Sequence, residues 1–110
     1  MAKLTSHVLD IFNGKPAAYM KIQLWRTEPR ALITEVFTNQ DGRCPEALLE
    51  GENLELGEYE LLFFVRDYFG HLNSPMLNTV PIRFMIFDAE QNYHIPLLVS
   101  PWAYSTYRGS

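Results

Sequence analysis

Two histidines stand in stretches of sequence that otherwise read as apolar strand. His7 lies in SHVLD beside Val8 and Leu9, and His94 lies in YHIPLL ahead of Ile95, Pro96, Leu97 and Leu98. Neighbours on a strand point to opposite faces, so each imidazole faces away from its adjacent apolar residue. A neutral imidazole titrates near pH ~6.5 and is the natural general base at neutral pH. A lone strand histidine is nonetheless more often a hydrogen-bonded structural residue or an exposed one. Arg43 follows the turn sequence Asn39-Gln40-Asp41-Gly42. It is either a solvated turn residue or a fixed cation whose planar donors could pair with an anion. The chain closes on AYSTYRGS (103–110), which holds Tyr107, Arg108, Gly109 and Ser110 and no acidic residue. Taken one at a time, none of these residues names an activity.

Motifs of strong spacing are missing. His7, His71 and His94 are far apart, and the sequence has no CxxC, HExxH or GxSxG and no phosphate-cradling glycine loop. No metal or cofactor is therefore expected. Cys44, directly after Arg43, reads as a small structural thiol. His71 reads as a solvated residue without a role.

The elements that must position these side chains repeat every two residues. Met20, Ile22 and Leu24 alternate with Lys21, Gln23 and Trp25, the pattern of a half-buried strand. The same reading applies to 4–12, 31–38, 59–69, 81–90, 92–99 and 103–107, which makes seven strand candidates punctuated by Gly, Pro, Asn and Asp. Helix is scarce. Glu46 to Glu50 could form a turn or two between Pro45 and Gly51, and 68–78 could hold another short helix. Many short strands with regular turns predict one compact all-β domain over 1–110, a β-sandwich.

Composition narrows the partners. The chain has 110 residues, 47% of them hydrophobic, and a net charge of −4. Scattered Lys and Arg argue against a nucleic-acid or membrane-surface partner. One cysteine allows no internal disulfide. The N-terminus lacks an apolar stretch of signal-peptide length, and no run reaches the ~18 residues of a membrane span. The chain reads as soluble and cytoplasmic.

Together, LTSHVLDIFNGKPAA (4–18), TNQDGRC (38–44), GEYELLF (57–63), YHIPLLVSP (93–101) and YSTYRGS (104–110) resemble one family, the 5-hydroxyisourate hydrolases of the transthyretin-like proteins. The closing YRGS is the most specific part, because the hormone-carrying transthyretin branch lacks it. The resemblance implies an all-β transthyretin-like sandwich of two four-stranded sheets with one short helix. It also implies a homotetramer, a dimer of dimers, with sites at the dimer–dimer interface in a central channel. The implied catalytic set is His7, Arg43, His94 and Ser110, with Tyr107, Arg108 and Gly109 lining the substrate site. For Tyr107 and Arg108 a plain last strand packed on its neighbour is the other reading.

The implied reaction is hydrolysis of 5-hydroxyisourate, a cyclic amide opened by water to a ureidoimidazoline carboxylate. A non-enzymatic carrier of a small aromatic ligand is the alternative, and it would tolerate loss of YRGS and of the histidines. Two departures stand out. Asn92 occupies the place of the first histidine in the family's HYH, and Thr5-Ser6 precede His7 where Ser-Thr is more usual.

Overall fold

A computed structural model describes residues 2–70 and 74–110, so His71 lies outside the described residues. All seven expected strands form: β1 (Lys3–Asp10), β3 (Lys21–Thr27), β4 (Arg30–Phe37), β6 (Gly57–Phe63), β7 (Val80–Ile86), β8 (Tyr93–Val99) and β9 (Tyr104–Thr106). Two further strands of two residues each, β2 (Lys15–Pro16) and β5 (Leu49–Glu50), join them.

One sheet has the order β4-β3-β6-β7, antiparallel throughout. The other has the order β2-β1-β8-β9, with β5 also on β1. The expectation of two four-stranded sheets is therefore corrected to one of four and one of five. The physical reason lies at β1. Its one edge is taken from Leu4 onward by the parallel partner β8, from Leu4↔Tyr93 to Asp10↔Val99. The short β2 and β5 share the opposite edge in tandem, at Leu9–Asp10 and Lys3–Leu4.

The two sheets enclose a core whose fully buried members include Leu4, Val8, Ile22, Leu24, Leu61, Phe63, Val80 and Leu97. Each such side chain contributes roughly 1.5–3 kcal/mol by leaving water. This burial sets the phase of β1 and β8. Leu4, Ser6, Val8 and Asp10 are buried, and so are Tyr93, Ile95, Leu97 and Val99. Thr5, His7 and His94 consequently stand on the outer face of the five-stranded sheet, each only partly buried. A one-residue slip in either strand would carry an imidazole into the core.

The short helix is displaced from where the sequence placed it. The apolar run 59–69 is not one strand: β6 ends at Phe63, and α1 (Val65–Phe69) follows at once. Val65 and Phe69, four apart on one helix face, are its buried residues. Tyr68 donates its hydroxyl to Oδ2 of the fully buried Asp10 at 2.8 Å, which ties the helix to the end of β1. The helix formers Glu46 to Glu50 do not form a helix. Instead Leu48 N–H donates to the Leu4 carbonyl at 2.8 Å, Leu49–Glu50 pair with β1, and a 3-10 turn follows at Gly51–Asn53. The free edge of β1 offered more hydrogen bonds than an isolated turn of helix, and local propensity lost.

Candidate active site

Arg43 reaches His7 because the segment from Gly42 onward docks along the free edge of β1. Val8 N–H donates to the Gly42 carbonyl at 2.8 Å, and Cys44 N–H donates to the Ser6 carbonyl at 3.4 Å. Between them His7 and Arg43 form an antiparallel bridge. The turn before Arg43 is built by Asn39. Its Oδ1 accepts from Asp41 N–H at 2.9 Å and Arg43 N–H at 3.1 Å, and its own N–H donates to the Arg43 carbonyl at 2.8 Å. Gly42 has φ +74°, and a Cβ there would run into the Val8 carbonyl oxygen. Only glycine allows this approach, so the turn sequence NQDG is a docking device for the arginine beside it.

His94 is brought in by β8, directly opposite Thr5 of β1. The tail then returns along the other edge of β8. The pairing runs from Val99↔Tyr104 to Leu97↔Thr106, and His94↔Gly109 continues it in the same register. Pro96 has no N–H to give, which interrupts the ladder between them. Gly109 N–H donates to the His94 carbonyl at 2.7 Å. The end of AYSTYRGS is therefore paired into the sheet.

Thr5, Ser6, Arg43, Cys44, His94 and Ser110 line one cavity of about 280 Å³. Four elements far apart in sequence thus meet: β1, the edge segment after Gly42, β8 and the C-terminal tail. His7 stands beside this cavity through its bridge to Arg43. Burial, then the Arg43 guanidinium, lower the His7 pKa below its ordinary 6.5, against an opposing pull from the Asp41 carbonyl and carboxylate. Burial, then Arg43, then His7 lower that of His94. Both imidazoles are therefore neutral at pH 7 and able to accept a proton. Cys44 is different: burial pushes its thiol up to about 11, so it stays protonated.

Of the other residues singled out in the sequence, Gly109 packs against the His94 ring, while Tyr107 and Arg108 line a separate apolar cavity with Phe84, Phe87, Tyr93 and Ile95. The Arg108 guanidinium lies 4.7 Å from the centre of the Tyr93 ring and donates to the Gln91 side chain and the Asn92 carbonyl, both at 2.9 Å. Arg108 thus clamps the tail to the start of β8. Asn92 accepts from Lys3 N–H at 3.0 Å through its side-chain oxygen and so ties β1 to the same point. It also borders a larger cavity of about 710 Å³ that has no imidazole or guanidinium on its wall. Among the described residues, no group of three or more His, Cys, Asp or Glu is arranged to hold a metal ion. Thr5 and Ser6 are cavity residues that sequence reasoning did not single out for a role. Their proximity to His7 was visible, but the pairing of Thr5 with His94 depends on strand register.

The HIUase/Transthyretin family model matches residues 4–109. The chain belongs to this family. The 5-hydroxyisourate hydrolase of Ralstonia nicotianae is 50% identical, with all of both chains covered. Among solved structures, an (S)-allantoin synthase is similar with a TM-score of 0.91 and 44% identity over 99% of this chain. This chain spans only 44% of that protein's length. The 5-hydroxyisourate hydrolase of Klebsiella pneumoniae has a TM-score of 0.84 and 29% identity, with both chains fully covered. Membership of the HIUase/Transthyretin family agrees with the transthyretin-like sandwich seen here.

Proposed function

We propose that this protein is a 5-hydroxyisourate hydrolase, in which residues 1–110 form one hydrolase domain. The reaction opens the six-membered ring at a cyclic amide and yields 2-oxo-4-hydroxy-4-carboxy-5-ureidoimidazoline. The observation that carries this reading is the shared cavity of Arg43, His94 and Ser110, with His7 bridged to Arg43 at its rim. The similarity over nearly the whole chain to proteins named 5-hydroxyisourate hydrolase supports the same reading.

Amide hydrolysis needs an activated water, a place for charge on the carbonyl oxygen and a held substrate. The two neutral imidazoles divide proton acceptance and relay. Arg43 pairs with the acyl oxygens or the anionic ring, as a planar cation can. Ser110 donates a hydrogen bond to the substrate or to the attacking water. Gly109 holds the tail against His94. Tyr107 and Arg108 serve the site by anchoring the tail that carries Ser110. No metal or other cofactor takes part in these steps.

The functional assembly in this reading is a homotetramer, a dimer of dimers. Two features support it. The sheet edges β7 and β9 are unpaired by other described strands and present exposed Met85, Phe87, Tyr104 and Tyr107 nearby. At one end of the sandwich, exposed Phe12 and Trp102 meet edge-to-face at 5.3 Å. Pairing would cover both. No helix among the described residues is long and apolar enough to cross a membrane, and we place the enzyme in the cytoplasm.

The test is rapid mixing of the protein with 5-hydroxyisourate made in place from urate. The ultraviolet absorbance should decay well above the spontaneous rate. Tight binding with no acceleration would instead establish a carrier.

A further inference from the structure

We propose that Thr5 is a positioning residue for His94: its hydroxyl engages the Nδ1 atom and so reserves Nε2 for the reacting cavity. This deepens the hydrolase reading and rests on it for the identity of the reaction.

The geometry points to this from three directions. Thr5 and His94 are direct partners in the parallel register of β1 and β8, so their side chains leave the sheet on the same face. Thr5 Oγ1 lies 2.8 Å from His94 Nδ1, a short hydrogen bond, and it is partly buried. No second side chain or carbonyl shares that hydroxyl among the described hydrogen bonds. On the far side of the ring, Gly109 closes in so tightly that an added Cβ would lie 2.5 Å from Cδ2. The imidazole is thus pinned at Nδ1 and Cδ2, and Nε2 is the ring nitrogen left for the cavity.

A hydroxyl can donate or accept, but whichever it does, it singles out one tautomer of a neutral ring. Threonine suits the task. Its branched Cβ restricts χ1 in a strand, so the hydroxyl is held where the ring needs it. Preorganising one ring nitrogen removes a choice that would otherwise have to be made during the reaction. The sequence order Thr5-Ser6 assigns the two hydroxyls opposite jobs. Ser6 turns inward and donates to the Ile95 carbonyl at 2.8 Å, while Thr5 faces the cavity.

The experiment compares Thr5→Val, which keeps the branched shape, with Thr5→Ser, which keeps the hydroxyl. In the full-length protein at pH 8, nitrogen-15 spectra should show His94 as a single tautomer, with well-separated ring-nitrogen shifts. In Thr5→Val the two shifts should converge and kcat should fall by about tenfold or more. Thr5→Ser should restore both. An unchanged shift separation in Thr5→Val, or a Thr5→Ser protein as impaired as Thr5→Val, would overturn the proposal. The spectra need no substrate. Failure of the wild-type protein to open 5-hydroxyisourate would therefore count against the reaction, separately from the Thr5–His94 coupling.

Discussion

Gly109 packs closely against the imidazole of His94 and binds the same residue's backbone. Its N–H donates to the His94 carbonyl at 2.7 Å, and a Cβ at this position would sit 2.5 Å from the ring Cδ2. Gly109 is thus both a strand partner of His94 and one wall of its imidazole's seat. A side chain here cannot be accommodated unless the ring moves.

Gly109→Ala should therefore cost activity and little stability. The glycine has no disfavoured backbone angle, so the fold can accept alanine once His94 is displaced. Misplacement of a catalytic group by about 1 Å can cost about 10²-fold. Steady-state kinetics should show kcat down by roughly tenfold to a hundredfold, with a thermal midpoint close to wild type. A Gly109→Ala protein with unchanged kcat would contradict the packing argument.

Acid should silence the enzyme only below the ordinary histidine range. Burial first and the Arg43 cation second lower the pKa of His7, and the same two causes followed by His7 lower that of His94. A base with a lowered pKa stays unprotonated to lower pH, so activity is retained through pH 6.5 and lost below it. The kcat/KM profile should place its acid limb below 6.5. Arg43→Gln should raise both imidazole midpoints in an NMR titration. Midpoints at or above 6.5 in the wild-type protein would contradict the assigned environment.

Cys44 borders the cavity yet should be a poor nucleophile. Burial raises its pKa from 9.0 to about 11, so its thiolate fraction near pH 8 is about a hundredfold below that of an unshifted thiol. Alkylation by iodoacetamide should be correspondingly slow in the native protein and fast after unfolding. Rapid native alkylation would show that the thiol is activated instead.

These expectations show where sequence reasoning reached and where it stopped. The period-two runs located all seven strands of three or more residues, and in SHVLD and YHIPLL they turned each histidine away from its adjacent apolar residue. The break at Phe64 was hidden because the run FFV is apolar in a strand and in a helix alike. The pieces β2 and β5 are two residues long and carry no period at all. In the site, family resemblance supplied His7, Arg43, His94 and Ser110. The link between Thr5 and His94 spans 89 positions and arises only once β1 and β8 adopt their register. For Arg108 the sequence left two readings open, a lining of the substrate site and a last strand packed on its neighbour. Its guanidinium engages Tyr93, Gln91 and the Asn92 carbonyl.

The most direct test of the central claim is the initial rate of 5-hydroxyisourate decay with three proteins: wild type, Arg43→Ala, and a chain ending at Thr106. Of the four residues removed, Tyr107, Arg108 and Ser110 are exposed, and Arg43 is exposed too, so both variants should fold, as circular dichroism will check. Decay should run well above the spontaneous rate with wild type, with a loss of about 10²-fold or more in each variant. Wild-type decay no faster than the spontaneous reaction, or full activity in both folded variants, would contradict a hydrolase built on Arg43 and the tail.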